Sequence, residues 1–146
     1  MSNLVKKLLL SLCFTVFLCH TAWAENMKTL GNMNVHYIAI GATFLTPEIA
    51  KAYDIERSRY NGLVNISVLD NSQENMPAKT VAIHGKVRND LGQIKSLDFQ
   101  EVKEGKAIYY LAQLRYSHEE TFYFDLTITD GKEQHQLKFS QKFYAD

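Results

Sequence analysis

Arg57 and Arg59 are the side chains of this 146-residue sequence best suited to gripping an anion. In an extended backbone, residues two apart point to the same side. Paired guanidinium forks then match carboxylate or phosphate oxygens bidentately. Acids lie close at hand, however: Asp54 and Glu56 are neighbours, and Glu48 sits one short helix away. An internal salt-bridge network that pins the helix to a sheet explains the same residues and is the default reading. Tyr109 and Tyr110, with Phe122, Tyr123 and Phe124, put rings on both faces of adjacent strands. One face must be core, and the other can present rings to a partner. Arg57, Arg59, Tyr109 and Tyr110 are therefore the candidate ligand- or partner-binding residues.

The other chemistry-bearing side chains form weaker patterns. His36, His84 and His118 are the candidate metal ligands, with His135 a fourth imidazole, and Met27, Met33 and Met76 could add soft ligands for copper. Their spacing carries no HxxxH or HExxH signature. Strand alternation also sets His84 and His135 on different faces, so no metal or other cofactor is expected. Ser58 lies in Arg-Ser-Arg and not in a G-x-S-x-G elbow. The carboxylate pairs Asp98/Glu101 and Glu119/Glu120 read as solvated loop and strand charges, and no glycine-rich phosphate loop exists. No enzymatic activity is expected. Asn65-Ile66-Ser67 matches a glycosylation acceptor but reads as strand.

The elements that would carry these residues are mostly strands. Asn34 to Phe44 is the first β-rich run. Thr46 then caps a short helix, with Pro47 at its first position and Glu48 complementing the dipole. Its apolar periodicity stops at Tyr53, and Ile49 and Tyr53, four apart, can face a sheet end. From Tyr60 the period becomes two: Val64, Ile66 and Val68 share one face, Asn65 and Ser67 the other. Further strands follow at Lys79–Asn89, Ile94–Val102, Lys106–Tyr116, Thr121–Thr129 and Glu133–Tyr144. Phe122, Phe124, Leu126 and Ile128 give the cleanest alternation. Glu104-Gly105 and Asp130-Gly131 mark hairpins, the latter as a type I′ turn. Seven short strands with frequent turns predict an all-β, antiparallel, immunoglobulin-like sandwich. One short helix stands between its first two strands. The core tryptophan and disulfide of antibody domains are missing, so Phe and Tyr must seal the core.

The first 24 residues read as a cleaved signal peptide. Lys6 and Lys7 form a basic start, Leu8 to Cys19 an apolar run, and Ala22-Trp23-Ala24 a cleavage site before Glu25. Twelve apolar residues are too few for a span, which needs about 20. Cys13 and Cys19 both fall inside this peptide, preceded by leucines unsuited to lipoprotein processing. Residues 25–146 then form a single unlipidated domain without cysteine, which excludes thiol catalysis and disulfides. Removing Lys6 and Lys7 leaves 14 basic residues against 16 acidic. That balance leaves no footprint for nucleic acid and no polybasic patch for lipid.

"HYIAIGATFLTPEIAKAYDIERSRYNGLVNISVL" followed by "GKVRNDLGQIKSLDFQEVKEGKAIYYLAQL" resembles the domain-of-unknown-function 4426 family of Gram-negative envelope proteins. The resemblance is carried by His36-Tyr37, Phe44-Leu45, Pro47-Glu48, Tyr53 with Arg57-Ser58, Asn89 with Gly92-Gln93, and Glu104-Gly105 with Ala107 to Tyr110. It covers nearly all of residues 25–146 and implies export to the periplasm as a small β-rich domain. It transfers no catalytic residue. The expectation is a periplasmic interaction or accessory domain that binds an envelope protein or another envelope component. The alternative is a carrier of a small anion or a metal ion.

Overall fold

The computed structural model describes residues 26–146. The signal peptide, its cleavage site and both cysteines lie outside the described residues. Nine strands form two antiparallel sheets. They are β1 (Asn26–Leu30), β2 (Met33–Gly41), β3 (Asn61–Asp70), β4 (Ala82–Asn89), β5 (Ile94–Leu97), β6 (Gln100–Glu104), β7 (Ala107–Arg115), β8 (Glu120–Asp130) and β9 (Glu133–Phe143). The five-stranded sheet runs β1-β2-β3-β7-β6 and the four-stranded sheet β5-β4-β8-β9. A 3-10 turn (Ala42–Phe44) and helix α1 (Pro47–Ala52) connect β2 to β3. The result is an antiparallel, immunoglobulin-like sandwich.

Alternation builds the core. Val64, Ile66 and Val68 of β3 face Phe122, Phe124, Leu126 and Ile128 of β8, all of them buried. Aromatic rings seal it: Phe124 stacks on Phe139 at 4.4 Å, and Tyr116 on Phe143 at 4.7 Å. Gly85 lets β4 lie tight on β8, since a Cβ there would overlap the Asp125 carbonyl oxygen.

Two strands exceed the seven expected. The polar lead-in is β1, which pairs with β2 from Asn26↔Tyr37 to Leu30↔Met33. Its residues are nearly all exposed, so it carries no apolar rhythm and is held by backbone pairing. The expected strand Ile94–Val102 is two strands in different sheets, with Asp98 and Phe99 crossing between them. Ile94, expected on an apolar face, is exposed. The hairpins also turn one residue later than expected. Asp130 still pairs with Glu133, so Gly131 and Lys132 are the central residues, and only the glycine has positive φ, at 59°. That replaces the type I′ geometry expected for Asp130-Gly131. The β1–β2 and β6–β7 turns likewise use Gly31 and Gly105.

Candidate binding face on the five-stranded sheet

Helix α1 is local in origin. The Ile49 N–H donates to Thr46 Oγ1 at 3.3 Å, Pro47 opens the first turn, and Tyr53 closes the last. The expected inward pair Ile49/Tyr53 is replaced by Ala50 and Tyr53, three apart, while Ile49 is exposed. Only a small residue fits where the short helix lies against the sheet. Ala42, Ala50, Ile55 and Leu63 form a second apolar cluster, with Ile40, Leu45, Tyr53 and Leu111 packed around it. This cluster lies on the outer face of the five-stranded sheet, because Leu63 and Leu111 are out of phase with the core residues Val64 and Tyr110.

The α1 corner covers one end of that face and leaves a groove along the rest. Its first hollow, about 240 Å³, is bounded by His36, Ile38, Asn65, Ser67, Leu69 and Tyr109. A second, about 250 Å³, shares Asn65 and Tyr109 and continues past Leu111 to Val102 and Glu104. A third, about 530 Å³, shares Leu63 and Leu111 and ends at Asp98 and Gln100. The groove therefore crosses from β2 to β6, three strand spacings or about 14 Å. Tyr53 spans it, its hydroxyl donating to Glu104 Oε2. That bond to the carboxylate holds the Tyr53 hydroxyl above its usual pKa.

Asn65, in the middle of the groove, has a buried side-chain oxygen with no hydrogen-bond partner. The two fully buried asparagines differ. Asn61 donates to the Glu56 carbonyl and to Gln113 Oε1 at 2.9 and 2.8 Å. Asn89 donates to Gln93 Oε1 and Glu120 Oε2 and accepts from the Leu91 and Gln93 N–H groups. A buried polar atom left unpaired costs about 1–3 kcal/mol, so Asn65 is a destabilising choice for a sheet that merely faces water.

The other candidates are scattered. Arg57 donates to the Leu45 and Thr43 carbonyls at 2.8 and 3.3 Å, tying the exit of the corner to its entry. Glu56 pairs with Arg115 instead. Arg59 donates to the Tyr60 hydroxyl at 2.9 Å and lies 5.0 Å from that ring's centre. Tyr110 is buried: its hydroxyl accepts from the Val81 N–H and donates to Glu101 Oε2. Tyr109 and His36 are the two candidates that the fold brings together, both on the groove. His84 lies on the outer face of the other sheet, in register with Thr127. His118, in the β7–β8 turn, accepts the Ala145 N–H at 3.1 Å. Among the described residues no three His, Cys, Asp or Glu side chains cluster to hold a metal.

Asn65, Tyr53, Glu104 and the outward leucines were not singled out from the sequence. A signal was present in β3, where Leu63 and Leu69 are apolar in the phase that should face water. Strands apolar in both phases are covered on both faces.

The family model described as Domain of unknown function (DUF4426) matches residues 27–146. The chain belongs to this family. Among solved structures it is similar to a DUF4426 family protein from Pseudomonas aeruginosa PAO1, at 27% identity and a TM-score of 0.74, covering 86% of this chain and 98% of that one. It also resembles FetP of uropathogenic Escherichia coli strain F11, recombinantly expressed in the periplasm, at 9% identity and a TM-score of 0.57, over 83% of this chain and 94% of that one. A copper-bound variant of FetP aligns at 10% identity and a TM-score of 0.57, over 82% and 95%. At such identity the FetP likeness concerns the fold alone. No curated protein matches the chain. Among the described residues of this DUF4426 protein, no helix is long and apolar enough to cross a membrane.

Proposed function

We propose that this DUF4426 protein is a non-enzymatic periplasmic accessory domain that docks another envelope component on the outer face of its five-stranded sheet. The observation that carries the reading is the unpaired, buried oxygen of Asn65 in an otherwise aliphatic groove. A sheet face that only meets water gains nothing from either feature, whereas a bound component would cover the apolar floor and pair the oxygen. The basic start, short apolar run and Ala-Trp-Ala site support export. Cross-linking in the native envelope, followed by recovery of the protein, tests the reading. Covalent complexes with another component are expected, and monomer alone, under conditions that trap other envelope complexes, contradicts it.

A carrier role has one observation in its favour. Lys86, Arg88 and Lys138 border a hollow of about 570 Å³ on the four-stranded sheet, which offers an anion three cations against the single carboxylate of Asp125. The copper held by the FetP variant makes copper the metal to try. Elemental analysis of native protein and thermal shifts with phosphate and copper(II) decide this. A bound metal or a rise in Tm supports a carrier, and neither removes it.

A further inference from the structure

Resting on the docking reading above, we infer that the groove takes an extended, mainly apolar polypeptide segment that carries basic side chains and donates a backbone N–H to Asn65.

Three features of the groove select this occupant. The floor is aliphatic where it is deepest, at Ile38, Leu63, Leu69 and Leu111, which suits apolar side chains and gives the hydroxyls of a sugar no partners. The unpaired acceptor stands mid-groove, not at an end, since Asn65 belongs to both the first and the second hollow. An acyl chain carries polar atoms only at its head and would seal that oxygen in hydrocarbon, at a cost. An extended peptide brings a backbone N–H past any point every few ångströms, at about 3.3 Å per residue. About four residues span the path of about 14 Å across the strands, so one N–H meets Asn65 whatever the register.

Charge sets the polarity of the segment. No lysine or arginine lines any of the three hollows, while Asp98 and Glu104 flank β6. Lys103 stands in the opposite phase of that strand, where it pairs with Glu101. A fatty-acid carboxylate or lipid phosphate would therefore find acids and no cation. A lysine or arginine side chain finds its counter-charge, and the strap from Tyr53 to Glu104 closes over the segment's backbone.

Fluorescence anisotropy tests the assignment with a labelled, end-blocked hexapeptide of alternating leucine and lysine. Its glutamate counterpart serves for comparison and dodecanoate as competitor. The basic peptide is expected to bind saturably, at least about tenfold tighter than the acidic one. Asn65→Leu should lose about tenfold in affinity while its Tm holds or rises. Gln136→Leu, on the outer face of the other sheet, should bind as the parent does. Asp98→Lys, an exposed site that needs no refolding of the core, should shrink the preference for the basic peptide. No saturable binding up to about 1 mM, equal binding of both peptides, displacement by dodecanoate, or parental binding by either groove variant overturns the assignment. Should cross-linking still trap a component on this face, the docking face stands and only its peptide occupant falls.

Discussion

Asparagine carries three different jobs in this chain, and hydrogen-bond pairing separates them. Asn61 joins the Glu56 carbonyl to Gln113, and Asn89 organises the turn at Gly92 through four bonds. Truncating either leaves buried partners unpaired. Asn61→Ala and Asn89→Ala should each lower stability by about 2–3 kcal/mol, read as a lower urea midpoint. Asn65→Leu removes an unpaired oxygen and should leave that midpoint unchanged or raised. Nothing in the residue type distinguishes these three positions in the sequence. The resemblance flagged Asn89 with Gly92-Gln93, and the fold supplies the reason, but Asn65 appeared only as an outward strand residue. Arg57 was legible as a paired cation, yet its partners are carbonyls of its own corner, and carbonyls leave no mark in a sequence.

Among the elements, those with strong local signals were the ones readable in advance. The Thr46-Pro47-Glu48 start placed α1, and the alternation of Phe122 to Ile128 placed β8 with its buried face. Thr46→Ala should cost about 1 kcal/mol through the lost cap and loosen the corner, seen as faster amide exchange at Ile49 and Ala50. Gly85→Ala should cost about 3 kcal/mol or more or prevent folding, because the new Cβ meets the Asp125 carbonyl and Leu126 of the paired strand. β1 was not readable, since an exposed edge strand is fixed by backbone bonds that any side chains allow. The split between β5 and β6 was hidden for a related reason. Leu97 and Phe99 both reach the core, one buried and one half-buried, so the alternation continues while the backbone changes sheets.

Across the whole molecule, the titrating groups that the fold perturbs most clearly for its stability act in the alkaline direction. Burial raises the Tyr110 and Tyr116 hydroxyls above 10.0, and the bond to Asp130 raises Lys79 above 10.5. The folded state thus holds these protons more tightly than the unfolded chain. Their contribution is full below the unfolded values and is lost as pH rises through the folded ones. The urea midpoint should therefore fall from about pH 10 upward, and less steeply in Tyr110→Phe. The two outer faces of the sandwich divide by character. The four-stranded sheet shows water charged and hydroxylated residues such as Lys86, Asp125, Thr127 and Lys138, as alternation demands. The five-stranded sheet shows it Ile38, Leu69, Tyr109 and an unpaired amide. This asymmetry carries the functional reading, and it follows from three strands that are apolar in both phases. The most direct measurement places a photo-cross-linking residue at Ser67 or Tyr109 in the groove, and at Thr127 on the opposite sheet, in cells that express the protein. Adducts from Ser67 and Tyr109, with none from Thr127, are expected. Equal adducts from both sheets, or none from the groove, would contradict a docking role for this face.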